Sequence, residues 1–294
     1  MLRSQYPATL RCGNQVIELQ SPLVMGIVNA TPDSFYAPSR SAESIDLALQ
    51  MASKMLSEGA RILDIGGMSS RPGAREISEA DELQRVLPVV EAIHSSFPEA
   101  ILSIDTFRSE VAKACLQAGA TVINDISGGV RDPGLLKVVA EHQATYILMH
   151  MRGDSNTMTH LTQYEDVVSD LLKYFIQQIQ QCHKAGIEEI ILDPGFGFAK
   201  TPAQNYTLIN QLKVFALLNR PLMVGVSRKS TLSKTINRPA EDTLEATTAL
   251  HMAALQNGAS ILRVHDVQPA MDTIAVFNQL TQAKDLNNKR LKPA

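Results

Sequence analysis

The sequence has no tryptophan, only three cysteines, and no apolar run approaching the roughly 18–20 residues that span a bilayer. Cys12, Cys115 and Cys182 are odd in number and widely spaced, which argues against a disulfide framework and for free thiols in a reducing cytoplasm. Charge of one sign is also missing. With 27 basic residues against 30 acidic ones the net charge is −3, so no basic field draws nucleic acid or anionic lipid, and neither is an expected partner. Polar Arg11 and Asn14 follow too soon after Met1 for an apolar secretory core to form. No G-x-G-x-x-G or G-x-x-x-x-G-K-[ST] fingerprint occurs. Without H-x-x-x-H or C-x-x-C spacing a protein-ligated zinc is not expected. Gly225-Val226-Ser227-Arg228-Lys229 lacks the second glycine of a nucleophile elbow, which removes covalent serine catalysis.

What is present is alternation. Short β-like runs at Leu23–Asn29, Ala60–Ile65, Ala100–Asp105, Thr121–Ile126, Thr145–His150, Glu189–Asp193, Leu222–Ser227 and Ser260–His265 are separated by helix-like stretches. Several runs are almost continuously apolar, as parallel strands covered by helices require. In Ile45–Leu56, residues Ile45, Ala48, Leu49, Ala52, Met55 and Leu56 draw one apolar stripe at helical spacing. Ser78 before Asp81 and Glu82 reads as an N-cap opening a helix through His94. Gly59, Gly119, Gly186 and Gly258 precede strands, where a C-cap glycine belongs. Eight such units in 294 residues predict an α/β fold, a single (β/α)₈ TIM-barrel domain over 1–294 with its core at about 21–283. Residues 9–20, with Cys12-Gly13-Asn14 between two β-like runs, predict an N-terminal β-hairpin at the barrel floor. The polar tail after Ala283 is expected to fray.

Polar residues gather where the strands end: Asn29, Asp64, Asp105, Asn124 with Asp125, His150, Asp193, Ser227 to Ser230, and Arg263 with His265 and Asp266. A lone Asp there is more often a helix N-cap than a catalyst. Eight coincident polar ends that include Asn, Lys, Arg and His point instead to an active site on the C-terminal face. Asp105, Asn124 and Asp193 can converge above the barrel axis and accept hydrogen bonds from a planar, N–H-rich ring. Lys229 and Arg263 add positive charge. Arg263 and His265, two apart on one strand, face the same way and suit an anion such as phosphate. Asn29 beside a diphosphate suits Mg²⁺, which takes one or two protein oxygens plus substrate phosphates.

Met25-Gly26-Ile27-Val28-Asn29-Ala30-Thr31-Pro32-Asp33-Ser34-Phe35 resembles the first pterin-binding signature of the dihydropteroate synthases. The resemblance continues through Asp64-Ile65-Gly66-Gly67, Ser70-Arg71-Pro72-Gly73-Ala74, Ser103-Ile104-Asp105-Thr106, Asn124-Asp125-Ile126-Ser127-Gly128-Gly129, Met149-His150-Met151-Arg152-Gly153, Asp193-Pro194-Gly195-Phe196-Gly197-Phe198, Ser227-Arg228-Lys229-Ser230 and Arg263-Val264-His265-Asp266, in family order. It implies condensation of 6-hydroxymethyl-7,8-dihydropterin pyrophosphate with 4-aminobenzoate, releasing diphosphate. It assigns Asp105, Asn124, Asp193 and Lys229 to the pterin, and Thr31, Arg71, Arg263 and His265 to the diphosphate. Ser70, Pro72, Phe198 and Ser230 go to 4-aminobenzoate, and Asn29 to Mg²⁺. Lys229, Arg263, Asp105 and Asp193 are the catalytic set. It also implies mobile loops at Thr31–Phe35 and Ser70–Gly73, a homodimer, and sulfonamides as competing mimics. Tyr36-Ala37-Pro38-Ser39 replaces the family's usual Ser-Asp-Gly-Gly, while Met68 and Ser70 replace Glu and Thr in the second loop. Two alternatives are a methyltetrahydrofolate-binding methyltransferase barrel, which passes a methyl group to a cobalamin protein, and a non-catalytic pterin-binding relative. The Ser227–Ser230 and Arg71–Gly73 blocks favour the synthase over the first, and the full set of rim charges favours it over the second.

Overall fold

The computed structural model describes residues 9–30, 41–69, 71 and 73–290. Eight parallel strands follow an N-terminal hairpin: β3 (Leu23–Asn29), β4 (Ile62–Gly66), β5 (Ile101–Asp105), β6 (Val122–Asp125), β7 (Thr145–Met149), β8 (Ile190–Asp193), β9 (Met223–Val224) and β10 (Ile261–Val264). Their order is 8-7-6-5-4-3-10-9, and a parallel bridge between Leu192 and Leu222 closes the ring. Most strands match the expected spans to within a residue or two at each end. The seventh is shorter than Leu222–Ser227, because the chain leaves the ladder at Gly225 and turns over Arg228, which adopts φ 54°. The helices are α1 (Ser41–Ser57), α2 (Glu79–Ser96), α3 (Ser109–Gln117), α4 (Leu135–Glu141), α5 (Val167–Ala185), α6 (Pro202–Gln211), α7 (Ser230–Ile236), α8 (Leu244–Gln256) and α9 (Val267–Arg290). The tail expected to fray is instead helical through Arg290, since α9 carries no proline or glycine beyond Pro269 to stop it.

Local chemistry sets these limits. Ser78 accepts a hydrogen bond from the Asp81 amide and opens α2, as its sequence predicts. Gly186, at φ 94°, ends α5, and the Ile187 amide reaches back to the Cys182 carbonyl. The same six-to-one bond closes α1 (Ala60 to Met55), α3 (Ala120 to Cys115) and α8 (Ala259 to Ala254). At α4 a non-glycine, Gln143 at φ 51°, takes that place, and Ala144 donates to Val139.

Side chains alternate along each strand, and the two parities meet different neighbours. Val24, Leu63, Leu102, Ile123, Leu148, Leu192, Val224 and Leu262 point outward into the layer beneath the helices. Met25, Ile62, Ile101, Val122, Ile147, Ile191, Met223 and Ile261 point inward and form one layer across the barrel. The hairpin of β1 (Thr9–Cys12) and β2 (Gln15–Glu18) inserts Leu10, Cys12 and Ile17 into that inner layer, and Leu19 follows it in. Burying each such side chain contributes about 1.5–3 kcal/mol, so the floor is a sealed apolar plug. Cys12, Cys115 and Cys182 are buried and unbonded to one another. No helix among the described residues is long and apolar enough to cross a membrane.

Candidate active site

Two residues above the apolar floor, the inward parity turns polar. It brings Asp64 from β4, Ser103 from β5, Asn124 from β6, Asp193 from β8 and Arg263 from β10 inward, with Asp105 two residues beyond Ser103 on the same face of β5. Asp105, Asn124, Asp193 and Arg263 line a cavity with Ile126, Met149, Phe196, Phe198, Gly225 and Lys229. The cavity therefore joins apolar walls to a charged rim. Asn29, Arg71, Ser230 and His265 do not line it. Thr31, Ser70 and Pro72, with the whole 31–40 segment, lie outside the described residues.

The electrostatic centre is Arg263. Its Nε donates to Asp64 Oδ2 at 2.6 Å and its Nη2 to Asp105 Oδ2 at 2.7 Å. Asp64 is fully buried and also accepts from Ser103 Oγ at 2.6 Å and Asn124 Nδ2 at 3.0 Å. Two carboxylates thus share one guanidinium. Burial pushes the Asp105 carboxyl well above its ordinary range, with Asp64 adding to the rise and Arg263 opposing it. The same pairing holds Arg263 protonated more firmly than usual despite its burial. Asp193 accepts from the Gly195 amide at 2.8 Å; burial raises its pKa against the pull of that amide, Lys229 and Arg263. Lys229 falls to about 8, through burial and the neighbouring Arg263. Its Nζ sits 4.2 Å from the centroid of the Phe198 ring.

Hydrogen-bonding capacity is left over. Among the described residues, Asp105 Oδ1, Asp193 Oδ2, Asn124 Oδ1, Arg263 Nη1 and Lys229 Nζ have no hydrogen-bond partner. Three acceptor oxygens and two cationic donors thus face one narrow space. They suit a flat heterocycle with N–H groups along one edge and acceptors on another. Lys229 and Ser230 stand at the start of α7, just above the cavity. His265 is turned towards Ser227 Oγ at 3.1 Å, and burial followed by Arg263 lowers it to about 4, so it is neutral near pH 7. Asn29, at the end of β3, makes no side-chain hydrogen bond among the described residues. Among those residues no group of three or more His, Cys, Asp or Glu gathers in a metal-binding cluster.

Three participants were not picked out of the sequence as site residues. Asp64 stood among the polar strand ends, but only its shared parity with Ile62 marks it as an interior group. Ser103 has the same parity in β5. Lys200, which does not line the cavity but whose Nζ is buried against the Gly195 and Phe198 carbonyls beside it, carried one faint signal, a charge directly after the apolar and glycine stretch Phe196–Ala199.

Residues 25–265 match the model of the pterin binding enzymes. A dihydropteroate synthase of Escherichia coli K12 is 43% identical over 276 residues, covering 93% of this chain and 96% of its own. The structure of the Yersinia pestis dihydropteroate synthase with a sulfonamide drug complex superposes with a TM-score of 0.87 at 40% identity, covering 93% of this chain and 99% of the other. A Xanthomonas albilineans dihydropteroate synthase with 4-aminobenzoic acid gives 0.86 at 37% identity, covering 93% and 98%. The polar layer on a sealed barrel floor and these likenesses lead to one conclusion: the chain belongs to the pterin-binding enzyme family, as a dihydropteroate synthase-type transferase.

Proposed function

We propose that the protein joins the 6-methylene carbon of a dihydropterin diphosphate ester to the amino nitrogen of 4-aminobenzoate, giving 7,8-dihydropteroate and diphosphate. The observation that carries this reading is the unspent set of Asp105, Asn124, Asp193, Lys229 and Arg263 around one slot. The pterin N–H edge donates to the three acceptor oxygens, and Lys229 and Arg263 Nη1 donate to its acceptors; paired with Asp64 and Asp105 inside the cavity, Arg263 is thereby given to the pterin rather than to the diphosphate. Ionisation at the methylene breaks the C–O bond, and diphosphate departs with the electron pair. The carboxylates of Asp105 and Asp193 favour the cation left behind, because preorganised charge acts strongly in a dry site. The arylamine lone pair then forms the C–N bond, and the proton lost from nitrogen passes to the departed diphosphate.

Phe198 walls the arylamine side, and Ser230, at the first turn of α7, offers a helix N-terminus to the benzoate carboxylate. Arg71 and neutral His265 supply donors to the diphosphate at the rim. The carboxamide oxygen of Asn29, which has no hydrogen-bond partner among the described residues, fits Mg²⁺, a cation that takes few protein oxygens when phosphates complete its shell. When bound, the ion neutralises charge on the leaving diphosphate. The homodimer implied by the resemblance would cover the exposed Val276 and Leu280 on α9, and reduced, buried cysteines suit a cytoplasmic setting.

A diphosphate-release assay with and without 4-aminobenzoate is the direct test. Release that depends on the arylamine, with dihydropteroate formed in equal amount, is the expected result. Methyl transfer from methyltetrahydrofolate without diphosphate release would replace this reading with the methyltransferase one.

A further inference from the structure

Lys200 follows β8 at the end of a loop that is locally unfavourable. Gly195, Gly197 and Ala199 all have positive φ, at 68°, 83° and 47°, so every second residue is left-handed and one of them carries a side chain. Ordinary turn chemistry supplies one internal bond, from the Phe198 amide to the Gly195 carbonyl. Outside the loop, Asn205 Oδ1 accepts from the Gly197 amide and the Tyr164 hydroxyl donates to the Ala199 carbonyl, at 2.9 Å each, while the Gly195 and Phe198 carbonyls turn in on the Lys200 ammonium. Lys200 is 8% exposed, and among the described residues it has no carboxylate within ion-pair distance. Its Nζ instead meets the carbonyl oxygens of Gly195 and Phe198 at 3.0 Å each and of His150 at 3.3 Å, with His150 Nδ1 at 3.1 Å.

Burial without a counter-ion lowers the Lys200 pKa to about 7, so the charge is kept there only by acceptors held in place around it. Two of these acceptors are in the loop itself; the other two belong to His150, at the end of β7. One ammonium therefore ties the middle of the loop to a neighbouring strand. His150 is suited to accept from it, because burial, followed by the Lys200 charge, pushes its pKa down to about 2 and leaves Nδ1 a lone-pair acceptor.

The ends of the loop are fixed by other means. Asp193 Oδ1 holds the Gly195 amide, and Thr201 forms a capping box with Gln204 at the start of α6. Between these anchors lies Phe198, whose carbonyl bonds Lys200 and whose ring lies against Lys229. A Cβ added at Gly197 would stand 3.3 Å from Lys229 Cδ, so the loop backbone also runs along the Lys229 stem.

We propose that Lys200 is a positioning residue for the arylamine half of the site: its ammonium sets loop 194–200 so that the Phe198 ring is held against Lys229. The naming of that half as an arylamine subsite rests on the function proposed above; the placement of the ring does not. Lys200 reaches no substrate and transfers no proton in this scheme. It acts through Phe198.

The test uses lysine labelled with ¹³C at Cε. In the native protein the Lys229 methylene protons lie in the ring current of Phe198 and resonate upfield; loss of that signal in Lys229→Arg assigns it. Lys200→Met should return the Lys229 signal to the ordinary lysine position. It should also raise KM for 4-aminobenzoate about tenfold while the pterin Kd stays within about twofold, the split expected when one wall of one subsite is lost. If the methionine variant does not fold, Lys200→Gln keeps two donors and should show the same changes in part. An unmoved Lys229 signal, or equal weakening of both substrates with an unmoved signal, overturns the proposal. If the native protein shows no arylamine-dependent diphosphate release but the signal still moves, the function reading fails and the ring-placement role stands.

Discussion

His251 gives the cleanest prediction, because it sits apart from the active-site cavity. It lies on α8, 2% exposed, and neither ring nitrogen has a hydrogen-bond partner among the described residues. Burial lowers its pKa from 6.5 to about 4, with Asp266 pulling weakly the other way. The folded protein therefore keeps this ring neutral while the unfolded chain protonates it. Above about pH 6.5 both states are neutral and stability is unaffected. Between pH 6.5 and 4 the unfolded state binds a proton that the folded state refuses, so stability falls as pH falls. With those two values the loss reaches about 2 kcal/mol at pH 5 and about 3 kcal/mol at pH 4. His251→Leu removes both the orphaned nitrogens and the titration. Urea unfolding of the native protein and the variant at pH 7 and pH 5 isolates the effect, because every other titrating group is common to both. The native protein should lose about 2 kcal/mol more than the variant over that interval. Equal losses would refute the reasoning and mean that the ring finds a partner or water on protonation.

Asp64→Asn should destabilise the fold by about 3–5 kcal/mol, since it leaves the Arg263 guanidinium half unpaired inside the barrel; an unchanged Tm would show that Asp105 alone satisfies it. Asp193→Asn should weaken pterin binding by about 1.5–3 kcal/mol through loss of a charged acceptor, measurable by calorimetry, and equal affinity would remove Asp193 from the pterin edge. Lys229→Ala should lower kcat/KM for both substrates by about a hundredfold or more, and near-native kinetics would end its catalytic assignment. Gly195→Ala should fail to assemble the loop, because the new Cβ would fall 2.1 Å from the His150 carbonyl oxygen; a native Tm and activity would show that the loop can retreat.

The barrel was legible because short apolar runs, helix-like stretches and C-cap glycines repeat with each unit, and repetition outweighs any single weak signal. The hairpin was legible from Gly13 between two β-like runs. Where the signals thinned, reading was less exact. Gln143 serves as a C-cap glycine does without looking like one, and β9 is cut short by a turn at Arg228, a residue with no turn signature. In the site, Asp105, Asn124, Asp193, Lys229 and Arg263 were visible as polar strand ends, and the structure places them around one cavity. The network among them was not visible. That Arg263 spends two of its nitrogens on Asp64 and Asp105 depends on register across β10, β3, β4 and β5, and register is a property of pairing rather than of any one strand. Lys200 was hidden for a related reason: its partners are mostly backbone carbonyls, which no side-chain pattern encodes.

The hairpin beneath the barrel has a consequence for entry. With Leu10, Cys12, Ile17 and Leu19 stopping the lower end, the slot is a blind well with a single mouth. Asp105, Asn124, Phe198 and Lys229 line the same slot, so whatever enters it comes in past the rim. On the function proposed above, two substrates sharing such a well would enter and leave by the same mouth. The hairpin closes from below a barrel whose inward layer of Met25, Ile62, Ile101, Val122, Ile147, Ile191, Met223 and Ile261 is already packed, so the slot opens on the rim alone.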